Sequence, residues 1–582
     1  MPPVRRRLIF SVLVGTTMLA LWLLMYRAVT PMALTPMGLI VLSLYTVLLP
    51  WLSIGTWNAI IGFVLLRFRV DPLASLLPQA VAHAAHADQD QPITASTALL
   101  VCVRNENPTQ VIRNLSLTVD GLVQAGAASF FHLYILSDTN DPQLAATEAL
   151  KFEAFKATAA QEIDLTYRRR DINEGYKAGN VHDFCERWGD QHDFALTLDA
   201  DSFMSGSAIL RLVRMMQADP QLGILQGLVV AMPSQSGFTR LFQFGMRLGM
   251  RSWTMGSAWW QGDCGPYWGH NALFRIKPFT EFCKLPLLKP DRFGPRHILS
   301  HDQVEAVLMR RAGYHVRVMP LEDASWEQNP PTLPEFVQRD LRWCEGNMQY
   351  GELIRLPKLA FVSRIQLVLA MLMFAGAPAW IGLMLCAGVS ATMTSQLSSA
   401  FNIDLLKLLF VATLVLFYLP KIASAVDVMC SKKQRMAFGG PGKFLLGVFI
   451  ETLFSLMICP IMWFNQTVYL GRLFTGRSKG WVGQTRDDHS VAWLSAVRLY
   501  WLHTVFGCAC LIAIAVNLPH AFVYSLFFLL GLAVPIPLAV ILSWPSVGRW
   551  MTLKGVGQLP EETMPPKDLL LLELPALLTR QV

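Results

Sequence analysis

Three apolar runs in this sequence end in oxygen-bearing side chains. "TALLVCV" is followed by Arg104, Asn105 and Glu106, "FHLYIL" by Ser137 and Asp138, and "FALTL" by Asp199, Ala200 and Asp201. Ligands of open α/β sheets bind at the carboxyl ends of the strands, so residues just beyond such runs are the first place to look for chemistry. The last triplet is the sharpest of the three. Two carboxylates one residue apart after a strand can set one against the ribose of a nucleotide sugar and the other against a divalent cation bridging its diphosphate. Hard oxygen donors suit Mg²⁺ or Mn²⁺, and a cation there offsets charge on a departing phosphate. Taken alone the spacing is weak, because paired acids also cap helices and turn corners.

"YKAGNVHDF" adds Lys177, Gly179 and Asn180 at the start of a helix, where free backbone N–H groups and a lysine could meet a phosphate or a base edge. An ordinary helix cap accounts for that stretch equally well. "YWGHNALFR", with Gly269, His270 and Asn271, and "LSHDQVEA", with His301 and Asp302, are polar signatures out of keeping with the apolar character of the chain around them.

The elements that must position these residues follow from periodicity. From residue 97 onward, short apolar runs alternate with helix-length segments, which indicates βαβ units and a mostly parallel sheet. This soluble insert of about 300 residues lies between apolar runs long enough to span a bilayer, at roughly 8–28, 38–66, 366–390, 403–428, 493–516 and 520–543, with a less regular one at 444–470. Of the 582 residues 53% are hydrophobic, with 17 Trp and 33 Phe, so the fold class is a polytopic α-helical membrane protein carrying one α/β domain. The first run is read as an uncleaved span, and the Ala- and Pro-rich stretch with His83 and His86 as a linker, not a metal pair. The net charge of +8 sits mainly beside apolar segments, which excludes a nucleic-acid partner. The ten cysteines contain no C-x-x-C pair, so neither a disulfide framework nor a zinc site is indicated.

Arg5, Arg6, Arg7, Arg67 and Arg69 place the N-terminus and the insert on the cytoplasmic side. If 444–470 crossed once, the following loop with Arg472, Arg477, Lys479 and Arg486 would face outward. Glu451 and Pro460 within that run favour an interfacial or re-entrant segment instead. The expected division is two spans in 1–69, the cytoplasmic domain with interfacial helices in 70–365, a second membrane region in 366–543 and a cytoplasmic tail in 544–582.

Asn105-Glu106, Asp138, "KAGN", "DAD", "GHNALFR", Asp302 preceded by His301, and "RDLRW" occur in an order that resembles the processive family 2 glycosyltransferases, the group containing cellulose and hyaluronan synthases. The fuller stretches "HLYILSD", "YRRR", "GNVHDFCERWG", "YWGHNALFR", "LSHDQVEAVLMRRAG" and "RDLRWCEGN" are similar, more narrowly, to the glucosyltransferases of osmoregulated periplasmic glucan biosynthesis. The likeness runs through the insert and on into "FYLPKI", covering most of the chain.

The resemblance implies a GT-A, Rossmann-like domain, UDP-glucose as donor, Mg²⁺ or Mn²⁺ as cofactor, and a growing β-glucan chain as product. Asp138 would contact uridine, with Glu106, Lys177 and Asn180 nearby. Asp199 and Asp201 would hold the diphosphate and its metal, and Asp302 would be the general base toward the acceptor hydroxyl. His270 and Asn271 would shape the acceptor end. Arg342 would neutralise departing UDP, and Trp343 would offer an aromatic face to the acceptor sugar. An amphipathic interfacial helix is the bland reading of "FVQRDLRW". The family pattern Q-x-x-R-W is broken here, since Arg339 stands where Gln is usual. The loop 474–488, with Arg477, Lys479 and Trp481, is expected to close over the donor. The resemblance further implies the bacterial inner membrane and a periplasmic glucan-modifying protein as partner. A synthase of cellulose or chitin, and a transporter or scaffold with a degenerate transferase domain, remain the alternatives; intact acids at 199, 201 and 302 argue against the latter.

Overall fold

The alternation of apolar runs and helices is realised as an eight-stranded sheet. The computed structural model describes residues 2–86, 91–159, 162–291, 294–392, 401–476 and 488–578. Strands β1 (Thr97–Val103), β2 (Phe131–Ser137), β3 (Asp164–Arg169), β4 (Phe194–Asp199), β5 (Phe203–Met204), β6 (Leu222–Ala231) and β7 (Ala272–Arg275) precede a separate hairpin of β8 (Leu288–Asp291) and β9 (Gly294–Arg296) and the long β10 (His315–Glu327). The sheet order is β3-β2-β1-β4-β7-β6-β10-β5. β3, β2, β1 and β4 run parallel, as do β6 and β10. β7 is antiparallel to both its neighbours and β5 is antiparallel to β10, so the sheet is mixed.

The parallel strands β1, β2 and β4 are buried on both faces, as helices crossing on either side require, while β3 is a partly exposed edge. In β1 successive side chains enter different cores. Leu99, Val101 and Val103 pack with Leu133 and Ile135, whereas Ala98 and Leu100 pack with Tyr134, Leu136, Val181 and Phe184. Register brings the strand ends level: Cys102 pairs with Asp199 and Val103 with Ser137. The acids just beyond β2 and at the end of β4 therefore emerge along one edge.

Among the described residues six helices are long and apolar enough to cross a membrane: Pro3–Val29, Pro36–Phe68, Phe361–Ser390, Ile403–Met429, Pro441–Phe474 and Trp493–Asn517. The chain is a polytopic membrane protein. The re-entrant turn that the sequence suggests within 444–470 does not form, since Pro441–Phe474 is one continuous helix despite Pro460. An apolar helix tolerates an internal proline where neighbours and local adjustment satisfy the freed carbonyl. The bend falls in the segment read as a plain span, between Pro519–Ala533 and Pro535–Leu542, which meet at 61°. Val534 precedes a proline, and the pyrrolidine ring drives the preceding residue out of the helical region; its φ of −121° and ψ of 31° show the break.

Sheet and spans are joined by the helix Gly237–Gln261, which packs closely on Pro36–Phe68. A Cβ on Gly62 would lie 1.8 Å from the Ser252 carbonyl oxygen, and one on Gly256 would lie 2.0 Å from that of Asn58. Trp260 Nε1 donates to Asn58 Oδ1 at 3.0 Å beside this crossing. Gly15, in the first span, has open space around its Cβ position. Substituting Gly62 by Leu should therefore cost about 1–3 kcal/mol or more through overpacking, read as a lower thermal midpoint of the detergent-solubilised chain. Gly15→Leu should leave that midpoint unchanged, and equal midpoints for the two variants would contradict this close crossing.

Candidate active site

The site is built where β1, β2 and β4 end. Beyond β1, Asn105 takes a positive φ of 60°. Its side-chain oxygen accepts from the backbone N–H of Asn140 at 3.1 Å and of Asp141 at 3.3 Å, which ties the loop after β1 to the loop after β2. Glu106 turns back and accepts from the backbone N–H of Arg104.

Asp138, 4% exposed, is gripped by Arg170 through two parallel hydrogen bonds of 2.7 Å from Nε and Nη2. This fork geometry is the strong, orientation-fixing form of a carboxylate ion pair. Arg170 was not singled out from sequence. The signal available was strand alternation in "YRRR", which puts Arg168 and Arg170 on one face; Arg168 makes an ion pair with Asp183 at 2.6 Å and donates to Asn180 Oδ1 at 2.5 Å.

Lys177 reaches from the helix Tyr176–Trp188 to Asp199, forming an ion pair, and also donates to the Gly269 carbonyl at 2.8 Å. Burial alone would lower the Lys177 ammonium, but the Asp199 carboxylate beside it raises its pKa above the usual value. Cys102 lies within their field, and burial, the largest influence, pushes its thiol up to about 12, so it stays neutral. Asp201, 6% exposed, sits two residues further on, in a turn where Ser202 N–H donates to the Asp199 carbonyl at 3.0 Å.

Gly269, with φ of 79°, closes the other side. Its Cβ position would lie 3.4 Å from Asp302 Cβ and 3.5 Å from His301 Cε1, so this backbone runs directly against the base expected from sequence. Asp302 opens the helix Asp302–Arg311. His301 holds Glu305 at 2.8 Å through Nδ1. Burial lowers its pKa, but the Glu305 carboxylate outweighs this and raises it overall. His301 is thereby fixed as the partner of Glu305, immediately before Asp302.

Lys177, Asp199, Gly269 and Asp302 thus converge. Asn180 and Asn271 are instead turned into the protein. Asn180, 1% exposed, donates to the Leu136 carbonyl at 3.0 Å; Asn271, fully buried, donates to Ser325 Oγ at 2.8 Å. His270 is half-buried and lies 3.6 Å from Glu327, at the end of β10. On the helix Leu333–Met348, Arg339 stacks over the Trp343 ring at 4.8 Å, and Trp343 is 47% exposed. Burial, then the charge of Arg339, lowers Arg342 to about 10. Burial raises Asp340 to about 6, although it accepts a 2.7 Å hydrogen bond from Gln466. Arg477, Lys479 and Trp481 lie outside the described residues.

Among the described residues no cluster of three or more His, Cys, Asp or Glu is arranged to hold a metal. Asp199 and Asp201 offer two carboxylates one residue apart. That set suits a hard cation such as Mg²⁺, which is usually held by one or two carboxylates together with substrate phosphates and water.

A mixed sheet of this order with an acid turn after its fourth strand, mounted on membrane helices, defines a GT-A glycosyltransferase. The family model for glycosyl transferase family 2 matches residues 100–282, and that for glycosyl transferase family group 2 matches 194–421. The chain is 33% identical over 94% of its length to a Caulobacter vibrioides glucans biosynthesis glucosyltransferase H, covering 83% of that protein. It is 29% identical to the one from Xanthomonas campestris pv. campestris, over 95% of this chain and 86% of that one. The Shewanella oneidensis counterpart is 32% identical over 91% of this chain and 73% of its own. A solved mannosyltransferase from Pyrobaculum calidifontis, in complex with GDP-Man and Mn²⁺, is alike over 64% of this chain and 98% of its own, with 15% identity and a TM-score of 0.37, too distant to argue from. The chain belongs to the glucans biosynthesis glucosyltransferase H family and is a glycosyltransferase of glucan biosynthesis.

Two outcomes follow from the buried charges. Arg170→Ala leaves the Asp138 carboxylate buried without its partner, at an expected cost of about 3–5 kcal/mol. Part of that loss should return when Asp138→Asn is added, measured as thermal midpoints of the single and double variants. Asp340 binds its proton more tightly folded than unfolded, so the folded chain should lose stability as pH rises from about 4 to about 6 and then level off. Asp340→Asn should remove that contribution from a stability-versus-pH profile; an unchanged profile would refute the assignment.

Proposed function

We propose that this chain is an inverting, processive glucosyltransferase that polymerises glucose from UDP-glucose into the β-glucan backbone of osmoregulated periplasmic glucans. The observation that carries the proposal is the packing of Asp302 and Lys177 on the same residue, Gly269. A base for the acceptor and a cation paired with the first acid of the D-x-D turn are thereby held on either side of one short loop. Asp302 accepts the proton of the acceptor hydroxyl as that oxygen attacks the anomeric carbon. The bond to UDP breaks on the opposite face, so an α-linked donor gives a β-linked product. Lys177 and Arg342 face the negative charge that accumulates on the departing diphosphate. A Mg²⁺ or Mn²⁺ held by Asp199 and Asp201 would supply further charge neutralisation there. Asp138, clamped by Arg170, presents a fixed edge to uridine, and Glu106 lines the same pocket. The half-buried His270 lines the acceptor end, where Trp343 gives the sugar a flat apolar face. Asn180 and Asn271 act by holding the walls of these pockets.

The proposed setting is the bacterial inner membrane, with the catalytic domain in the cytoplasm. The helix Pro441–Phe474 supports this topology when placed along the interface. Near its start, Phe444 meets Phe244, and Glu451 abuts Gly245, both on Gly237–Gln261. Near its end, Gln466 and Tyr469 bond Asp340 and Glu345 on Leu333–Met348. Both ends of a helix of about 50 Å touch elements of the soluble insert, which supports an interfacial placement. The polymer would pass outward between the spans to a periplasmic glucan-modifying protein.

Inverted membrane vesicles given radiolabelled UDP-glucose and Mg²⁺ should accumulate β-glucan. Asp302→Asn should lower the rate by about 10²- to 10⁴-fold, the usual contribution of a general base, with unchanged protein level. Incorporation from another nucleotide sugar but not from UDP-glucose would replace the substrate, and full activity of Asp302→Asn would remove the base.

A further inference from the structure

The tail beyond the last membrane helix folds back onto the catalytic domain through buried charges that the transfer reaction does not use. The helix Pro545–Lys554 lies against the start of Gly237–Gln261 so closely that a Cβ on Gly548 would be 1.8 Å from the Gln235 carbonyl oxygen. Two consecutive tail acids then meet two arginines of Gly237–Gln261 placed seven residues, or two turns, apart on one helix face. Glu562 pairs with Arg240, which is 1% exposed and also donates to the Val556 carbonyl at 3.3 and 3.2 Å. Glu561 pairs with Arg247 at 2.5 Å, both less than a tenth exposed, and Arg247 also holds Glu322 of β10. Ions withdrawn from water this fully persist only where their partners are kept in place, so the tail is a fixed part of the domain.

The same segment reaches the acid turn. Glu561 Oε1 accepts from Trp326 Nε1 at 3.4 Å, and Leu569 and Leu572 are buried in one cluster with Trp326, Phe203 and Val230. Trp326 stacks on Phe203 with ring centres 5.6 Å apart and planes 9° from parallel. Phe203 follows Asp201 by two residues and opens β5, an edge strand of two residues paired with β10. So short an edge strand gains little from its own hydrogen bonds. Beside the hydrogen bond from Thr118 to the Met204 carbonyl, its Phe203 side rests on an apolar cluster to which the tail contributes Leu569 and Leu572.

We propose that residues 559–572 are a positioning strap for the Asp199–Asp201 turn, acting through Trp326 and Phe203 to set affinity for a nucleoside diphosphate and a divalent cation. The inference rests on the donor-site reading above. Leu569, Leu572 and Glu561 are positioning residues that touch neither donor nor acceptor. They determine whether the two carboxylates stand at the separation a diphosphate-bound cation requires.

The test uses the purified full-length chain, titrated with UDP at fixed Mn²⁺ and with Mn²⁺ at fixed UDP. Leu569→Glu combined with Leu572→Glu should weaken both by about 10- to 100-fold, as loss of outer support does at metal sites. Because two carboxylates in this apolar cluster also lower the thermal midpoint, affinity is read per folded protein, with the folded fraction measured for each variant. Leu569→Met with Leu572→Met should retain wild-type affinity, and Trp326→Phe, which keeps the ring but loses the bond to Glu561, should fall between. A double-Glu variant that is folded and binds UDP and Mn²⁺ like wild type overturns the strap. So does a loss of binding that only tracks the fraction of folded protein. A wild-type chain that binds UDP and Mn²⁺ but transfers no glucose defeats the proposed reaction while the variant's affinity still decides the strap; a wild-type chain that binds no UDP overturns both.

Discussion

Asn271 is fully buried with its backbone in the left-handed region, at φ of 49°, and most of the site's geometry passes through that one residue and its neighbour Gly269. Its N–H donates to the Thr197 carbonyl of β4 at 2.7 Å, its own carbonyl accepts from Gly227 of β6 at 3.1 Å, and its side chain bonds Ser325 of β10. Three strands are thereby sewn to one loop. Asparagine tolerates this backbone conformation better than most residues because its short side chain can bond locally. Once the loop is fixed, the Gly269 carbonyl has one direction in which to meet Lys177, and the helix bearing Asp302 has one surface to rest on. Groups from distant parts of the sequence are thus aligned by this backbone together with ion pairs such as Lys177 with Asp199.

Charge at the donor end is organised in pairs whose members come from different elements. Arg170 with Asp138 joins the chain beyond β3 to the chain beyond β2, and Lys177 with Asp199 joins a helix start to the end of β4. Each pair also fixes the separation of the elements that carry it. Partly dehydrated surroundings strengthen such attractions, so an incoming anionic diphosphate meets cations that are already oriented.

Much of this was legible in the residues. Strand-like runs ending in Asp138 and in Asp199-Ala200-Asp201 predicted which acids would share an edge, because in an α/β sheet the register of the strands delivers their ends together. The partner of Asp138 was not legible, since nothing local distinguishes Arg170 from Arg169 until the strand boundary is known. Asn180 and Asn271 read as ligand-facing because polar residues at a loop and a helix start usually are. In the fold their amide groups satisfy buried backbone and hydroxyl groups that no sequence pattern announces. The mixed character of the sheet escaped the βαβ pattern because β7 has only four residues and enters between β4 and β6 from the opposite direction. Pro460 suggested a break that a well-packed apolar helix absorbs, whereas Val534 before Pro535 gave a break that hydropathy alone hides.

The glycine crossings at Gly62 and Gly256 leave no room for the helix Gly237–Gln261 and the second span to slide past each other. Backbone lies on backbone at that contact, with Trp260 and Asn58 bolting its edge. The soluble and membrane portions are therefore a single chassis rather than a motor on a flexible mount. A frame of this kind holds the helix beneath the sheet at one fixed place on the second span, and leaves any movement the chemistry needs to loops and side chains hung from it.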